Sequence, residues 1–215
     1  MTAEVVSAIG DDRDEAVDRA AEALRRGELV VMPTDTVYGV AADAFDPAAT
    51  ARIFAAKLRS RRYPLPVLIH SETQLAGLVA DVPAAVQRLV AAYWPGPLTI
   101  VVECDPDLGW DIGDNQGTVA VRQPRDDIAL DIIRAVGPLA VTSANLSGQP
   151  PANDATTARM ALGHAVAVYV DGGPRTGIRP STIVDLTRPE PYLIRDGDLP
   201  PDEVMAVARG ERRSA

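Results

Sequence analysis

The chain has 215 residues, of which 47% are hydrophobic and 24% charged, a length and balance that suit one large domain with an ordinary core. Its 21 basic and 30 acidic side chains give a formal charge of −9, which argues against a protein whose whole surface attracts nucleic acid. One cysteine, Cys104, excludes an intramolecular disulfide or a thiolate metal cluster. No apolar run approaches the ~20 residues of a membrane span, and the acidic N-terminus (Glu4, Asp11, Asp12, Asp14) has no signal-segment pattern. The expectation is a cytoplasmic protein.

In chain order, Asp14 to Arg26 carries Ala16, Ala20 and Leu24 at helical spacing, with Gly27 as a natural stop. Leu29 to Met32 reads as a buried strand ending at Pro33. Asp46-Pro47 is a cap followed by proline at the first helical position, and that helix should run to about Leu58. Leu65 to His70 is a second strand. Ser71 and Gln74 form a capping-box pattern for a helix to about Ala80. A helix over Pro83 to Tyr93 is broken by Trp94-Pro95-Gly96-Pro97, and the strand Leu98 to Cys104 follows, with Cys104 expected as a buried thiol.

Residues 105 to 117 make a loop longer than a simple connection needs. Strands are predicted at Thr118 to Arg122, Leu139 to Thr142 and Val166 to Val170. Helices are predicted from Asp126 to near Gly137 and from Asp154 to Leu162. Ser181 to Leu186 and Tyr192 to Arg195 should form an antiparallel pair before a final helix, Pro200 to Arg209, and Glu211 to Ala215 reads as a disordered tail. Alternating strands and helices followed by consecutive strands imply a mixed α/β sheet with helices packed on it.

Three uncharged polar turns stand at the ends of apolar runs: Pro33 to Gly39, Thr142 to Gly148, and the Gly/Pro-rich stretch Asp171 to Pro180 leading into Ser181. Hydroxyls, an amide and free backbone N–H groups at strand ends suit a small, oxygen-rich anion. Lys57, Arg59, Arg122 and Arg195 lie at similar boundaries. Each alone reads as a helix-end cation or a surface ion pair, whereas together they suit phosphate or carboxylate. Capping explains Thr34 poorly, since no helical pattern begins before Asp46, and Ser143 and Asn145 precede the next helix by about ten residues. The chain lacks a GxxxxGK[ST] loop, a GxGxxG turn, HExxH and GxSxG. Its two histidines, His70 and His164, have no acidic or thiol neighbour in sequence, so capping or surface roles are expected and a zinc site or Ser-His-Asp triad is not.

In these segments the sequence resembles the YrdC-like family of threonylcarbamoyl-adenylate synthases. The matching pieces are PTDTVYG (Pro33–Gly39), K-x-R (Lys57–Arg59) followed by Pro64-Leu65, WPGPLT (Trp94–Thr99), V-A-V-R (Val119–Arg122), SANLSG (Ser143–Gly148), PSTIVD (Pro180–Asp185) and IRDG (Ile194–Gly197). They occur in the family's order across about residues 15 to 210. The resemblance implies a single domain over 1–215 (core about 12–210), built as a twisted mixed α/β sheet with flanking helices curved around a deep, positively lined cavity. It implies the condensation of L-threonine, bicarbonate or CO2 and ATP (with Mg2+) to threonylcarbamoyl-AMP and pyrophosphate, for modification of adenosine 37 in tRNA. The product would pass to a tRNA threonylcarbamoyl-transferase complex.

Carried over by position, Thr36, Arg122 and Ser181 should contact threonine. Arg59, Tyr63, Thr118, Ser143, Asn145 and Arg195 should contact the nucleotide, Lys57 and Arg59 should be catalytic, and no protein-held metal is implied. Ser60-Arg61-Arg62-Tyr63 departs from the usual residues after K-x-R, which leaves open whether Tyr63 stacks on a base. Two other readings share the fold: an RNA-binding or ribosome-maturation module, weighed down by the −9 charge and the missing aromatic platform, and a carbamoyl-transfer unit of hydrogenase maturation.

Overall fold

The computed structural model describes residues 3–176 and 179–211. Seven helices and ten strands are described: β1 (Glu4–Ser7), α1 (Arg13–Arg25), β2 (Val30–Met32), β3 (Gly39–Asp43), α2 (Pro47–Lys57), β4 (Val67–Leu68), α3 (Glu72–Ala76), α4 (Ala84–Tyr93), β5 (Leu98–Glu103), β6 (Thr118–Arg122), α5 (Asp127–Val136), β7 (Leu139–Ser143), α6 (Ala155–Leu162), β8 (Val168–Asp171), β9 (Thr182–Asp185), β10 (Tyr192–Arg195) and α7 (Pro201–Arg209). The strands form one mixed sheet in the order β1-β8-β2-β3-β7-β4-β6-β5-β9-β10. Pairings β1–β8, β2–β8, β4–β6 and β5–β9 are parallel, and the others antiparallel.

Local chemistry explains most element ends. Asp46 accepts from the N–H groups of Ala48 and Ala49, with Pro47 at the first helical position, and Asp126 and Asp154 cap α5 and α6 in the same way. Gly27 takes a φ of 71° after α1, a conformation glycine adopts without a Cβ penalty. The expected capping box at α3 does not form. Ser71 makes no side-chain cap bond, and Gln74 turns back so that its Oε1 accepts from the His70 N–H at 2.8 Å.

Two strands lie outside the elements expected from sequence. β1 is four residues long and mostly exposed, and β3 (GVAAD) has one β-branched residue. Both are held by pairing with buried partners rather than by their own propensity. Cys104 is 8% exposed, as its apolar surroundings predict. The expected tail begins with Glu211, whose N–H reaches Ala206 O at 2.9 Å. Residues 212–215 fall outside the described residues.

The two faces of the sheet are covered unequally, and this positions the site. One face carries the larger core, where Val31, Val40, Ala140, Val67, Val121, Ile100 and Val184 continue from strand to strand beneath α2, α4, α6 and α7. On the other face α1 and α5 cover Val30, Met32, Ala41, Leu139, Val141 and Leu68. That cover stops at β4. Beyond it, strand alternation puts Arg122, Ala120, Thr99, Val101 and Ile183 on the same face, and Ala120, Val101 and Ile183 are half-buried and belong to neither core.

Candidate functional site

A concavity of about 490 Å³ opens where the C-terminal end of α2 meets the end of β7. This volume lies within the usual range for small-molecule sites. Its wall brings Lys57, Arg59, Ser60 and Tyr63 against Ser143, Asn145, Ser147 and Gly148. Segments some 86 residues apart meet because Lys57 donates to the carbonyl oxygens of Ser143 and Asn145, while Ser147 N–H returns a bond to Lys57 O at 3.0 Å. Leu58 ends the helix in the left-handed region, with φ 53°, and this reversal swings Arg59 back over the pocket wall.

Lys57 is the most unusual group in the molecule. It is 1% exposed and is anchored by carbonyls rather than by a carboxylate. Burial, with Arg59 nearby, pulls its ammonium down to about 8. Arg59 is also lowered by burial, yet a guanidinium keeps its charge at neutral pH. It donates to Tyr63 O at 2.9 Å and Pro64 O at 3.1 Å and lies 5.9 Å over the Tyr63 ring, so it braces the pocket rim as well as charging it. Tyr63 itself is 66% exposed.

Ser60 to Tyr63 is therefore a docked segment. Arg61 pairs with Asp111 and lies 5.0 Å over Phe54, and Asp114 N–H reaches Arg61 O at 2.9 Å. The long 105–117 loop thus supports the rim. Gly113 (φ +103°) allows that approach, since a Cβ there would sit 2.8 Å from Arg61 O and 2.9 Å from Phe54.

The other expected residues lie on the open sheet face beside this pocket rather than in its wall. Arg122 is 6% exposed and donates from Nε to Gly96 O (2.9 Å), from Nη1 to Thr36 Oγ1 (3.1 Å) and from Nη2 to Asp35. Arg195 donates to Ser181 O (2.8 Å) and Oγ (2.9 Å), and Ser181 Oγ lies 2.8 Å from Thr99 Oγ1. Burial and then the charge of Arg122 lower the Arg195 guanidinium, so the two cations feel one another.

The loop Pro33–Tyr38, which joins the antiparallel pair β2 and β3, connects the two halves. Thr36 touches Arg122, while Gly39 pairs with Ser143 and Ala144 N–H bonds Tyr38 O at 2.8 Å. Tyr38 OH donates to Gly173 O at 2.7 Å, which ties in the third polar turn. The residues Gly177 and Ile178 of that turn lie outside the described residues.

The geometry sorts the expected residues into groups. Lys57 and Arg59 line the pocket, whereas hydrogen bonds hold Arg122 and Arg195 over the open face. Thr118 stands at the far end of β6, about 13 Å of strand from Arg122, and its hydroxyl donates to Asn115 O at 2.8 Å. Thr34 forms a turn, with its Oγ1 donating to Val37 O at 2.6 Å. His70 is half-buried and His164 exposed, in a 3-10 turn.

Asp35, Thr99 and Ser147 were not singled out from sequence. Each sits inside a quoted motif, but only tertiary contacts reveal what it touches. No helix among the described residues is long and apolar enough to cross a membrane.

Comparison with known proteins identifies the family. The Sua5/YciO/YrdC family model, described as "Telomere recombination", matches residues 22–197. A Mycobacterium leprae protein provisionally named a threonylcarbamoyl-AMP synthase is 49% identical over 88% of this chain and 86% of its own length. The threonylcarbamoyl-AMP synthase of Pyrococcus abyssi is 40% identical over 87% of this chain and 56% of its own. The solved structure of P. abyssi Sua5 complexed with L-threonine superposes with a TM-score of 0.86 at 35% identity, covering 99% of this chain and 62% of that one. The polar turns at the strand ends, the fold that assembles them and these matches together place the chain in the Sua5/YciO/YrdC family.

Proposed function

We propose that this chain is an L-threonylcarbamoyladenylate synthase. It condenses L-threonine, bicarbonate or CO2, and ATP to threonylcarbamoyl-AMP and pyrophosphate. The observation that carries the reading is the pairing of a cation-walled pocket, Lys57 and Arg59 against the Ser143–Gly148 turn, with a neighbouring buried guanidinium, Arg122, held by Thr36 and Asp35. Arg122 has five N–H groups and the bonds described engage three, which leaves two for a carboxylate. Threonine would sit there, between Thr36 and Ser181, and the triphosphate would lie against Lys57, Arg59 and Ser143.

The chemistry needs few proton carriers. Threonine's amine, once neutral, adds through its nitrogen lone pair to CO2, and loss of one N–H proton to solvent leaves the carbamate anion. A carbamate oxygen attacks the α-phosphorus of ATP, forming the new P–O bond as the bond to the β-phosphate oxygen breaks and pyrophosphate leaves. Lys57 and Arg59 supply fixed positive charge where charge builds on the leaving oxygens, and Arg122 and Ser181 hold the amino acid in line. Such positioning can supply ~7–11 kcal/mol of the barrier.

Mg2+ enters as the counter-ion of ATP. It would be held mainly by phosphate oxygens and water. The product would be handed to a tRNA threonylcarbamoyl-transferase complex in the cytoplasm, with no strong direct nucleic-acid binding by this chain.

The test is pyrophosphate release from Mg-ATP with threonine and bicarbonate supplied or withheld. The expected outcome is release only when both are present. Release without threonine, or none with all substrates, removes this reading.

A further inference from the structure

Among the described residues, the pocket wall holds one buried side-chain oxygen with no partner, Asn145 Oδ1. Asn145 is 7% exposed, and the orientation of its amide is fixed by its surroundings. Its Nδ2 donates to Leu146 O and to Gln149 O, both at 2.8 Å. Turning the amide over would set Oδ1 against two carbonyl oxygens, so Oδ1 is the end left without a partner, on a residue of the pocket wall. A buried acceptor left dry costs free energy, and a donor brought by the pocket's occupant would relieve that cost.

A triphosphate at neutral pH offers acceptors only. The backbone carbonyl of the same Asn145 is bonded by Lys57 Nζ, so the orphan oxygen lies within one residue of the cation expected to hold phosphate. In a nucleotide the donors nearest the phosphates are the sugar hydroxyls, and the donors of the base lie farther along the molecule. We infer that Asn145 Oδ1 accepts a hydrogen bond from a ribose hydroxyl and makes this site selective for ribonucleoside over deoxyribonucleoside triphosphates. The inference rests on the assignment of the pocket to ATP and goes beyond it to the sugar.

The experiment is equilibrium binding of Mg-ATP, 2′-deoxy-ATP and 3′-deoxy-ATP to the intact protein by calorimetry. The wild-type protein is expected to bind at least one deoxy analogue about fivefold or more weakly than ATP, the scale of a lost hydrogen bond at a buried acceptor. Asn145→Ala is expected to weaken ATP and to bring all three ligands to similar affinity. Asn145→Ser, whose shorter side chain keeps one O–H donor for a turn carbonyl but no longer carries the amide oxygen at the Oδ1 position, gives the same reading should the alanine variant not fold. Equal wild-type affinity for all three ligands overturns the inference. So does discrimination that survives in the Asn145 variant, because another group then reads the hydroxyl. Failure of wild-type protein to bind ATP at all is a different result and removes the assignment of the pocket itself.

Discussion

Lys57 and Arg122 solve the same problem by opposite means. Each is a buried cation, but Lys57 rests on carbonyl dipoles, whereas Arg122 has the full charge of Asp35 beside it. Lys57 is consequently the softer of the two. Its ammonium is pulled down to about 8, so the free protein holds that charge at pH 7 and loses it as pH rises through 8. ATP affinity measured without threonine is expected to fall on the alkaline side of that value, with a slope absent in Lys57→Met. A flat profile to pH 9.5 would show that the ammonium does not meet phosphate.

Arg122→Lys is expected to raise the KM for threonine about tenfold or more. A point charge on a flexible stem cannot serve Gly96 O, Thr36 and Asp35 at once and still offer a planar pair of donors. Arg59→Ala and Arg195→Ala should each lower pyrophosphate release at least about tenfold while circular dichroism reports an intact fold. Normal turnover in both would make these cations ornamental. Both also hold main-chain carbonyls, Arg59 at Tyr63 and Pro64 and Arg195 at Ser181, so circular dichroism is what separates lost charge from lost structure.

At the scale of elements, the turn after β10 carries the tightest backbone contact near the site. A Cβ on Gly197 would fall 2.2 Å from Thr182 N and 2.5 Å from Ser181 O, both main-chain atoms that cannot swing aside. Gly197→Ala is therefore expected to cost several kcal/mol and lower Tm by at least about 5 °C. Activity should fall below what the loss of folded protein explains, because the displaced strand start bears Ser181.

Elements that announce themselves locally were readable in the sequence. β6 and β10 stand on the residues expected, and α2 begins at its Asp-Pro cap. Elements held from outside were not. β3 follows its turn with Gly-Val-Ala-Ala-Asp and exists because β2 and β7 flank it. The site divided in the same way. Its motifs named the residues, but the partners of Arg122 lie 26 and 86 positions away, and no local pattern separates a pocket wall from a network on the neighbouring sheet face.

At the scale of the whole molecule, the excess of acid and the local cations are compatible because they occupy different places. Acidic residues line the exposed side of α1 and the loops, whereas Lys57 and Arg122 are buried, Arg59 is half-buried, and Arg195 is hydrogen-bonded beside them at the end of β10. A surface of one sign around a hollow of the other suits a small anionic substrate better than a polyanion.

The pairing of β1 with β8 also has a temporal side. The ribosome makes Glu4–Ser7 about 160 residues before Val168–Asp171, and β5 likewise waits for β9 to align alongside it. Both wings of the sheet stay unzipped until β8 and β9 emerge, so the growing chain carries raw hydrogen-bonding margins over a long stretch of its synthesis. Stalling translation near residue 165 should yield a nascent chain whose β1, β2 and β5 margins stay open to protease, with protection there arriving only once β8 and β9 have left the exit tunnel.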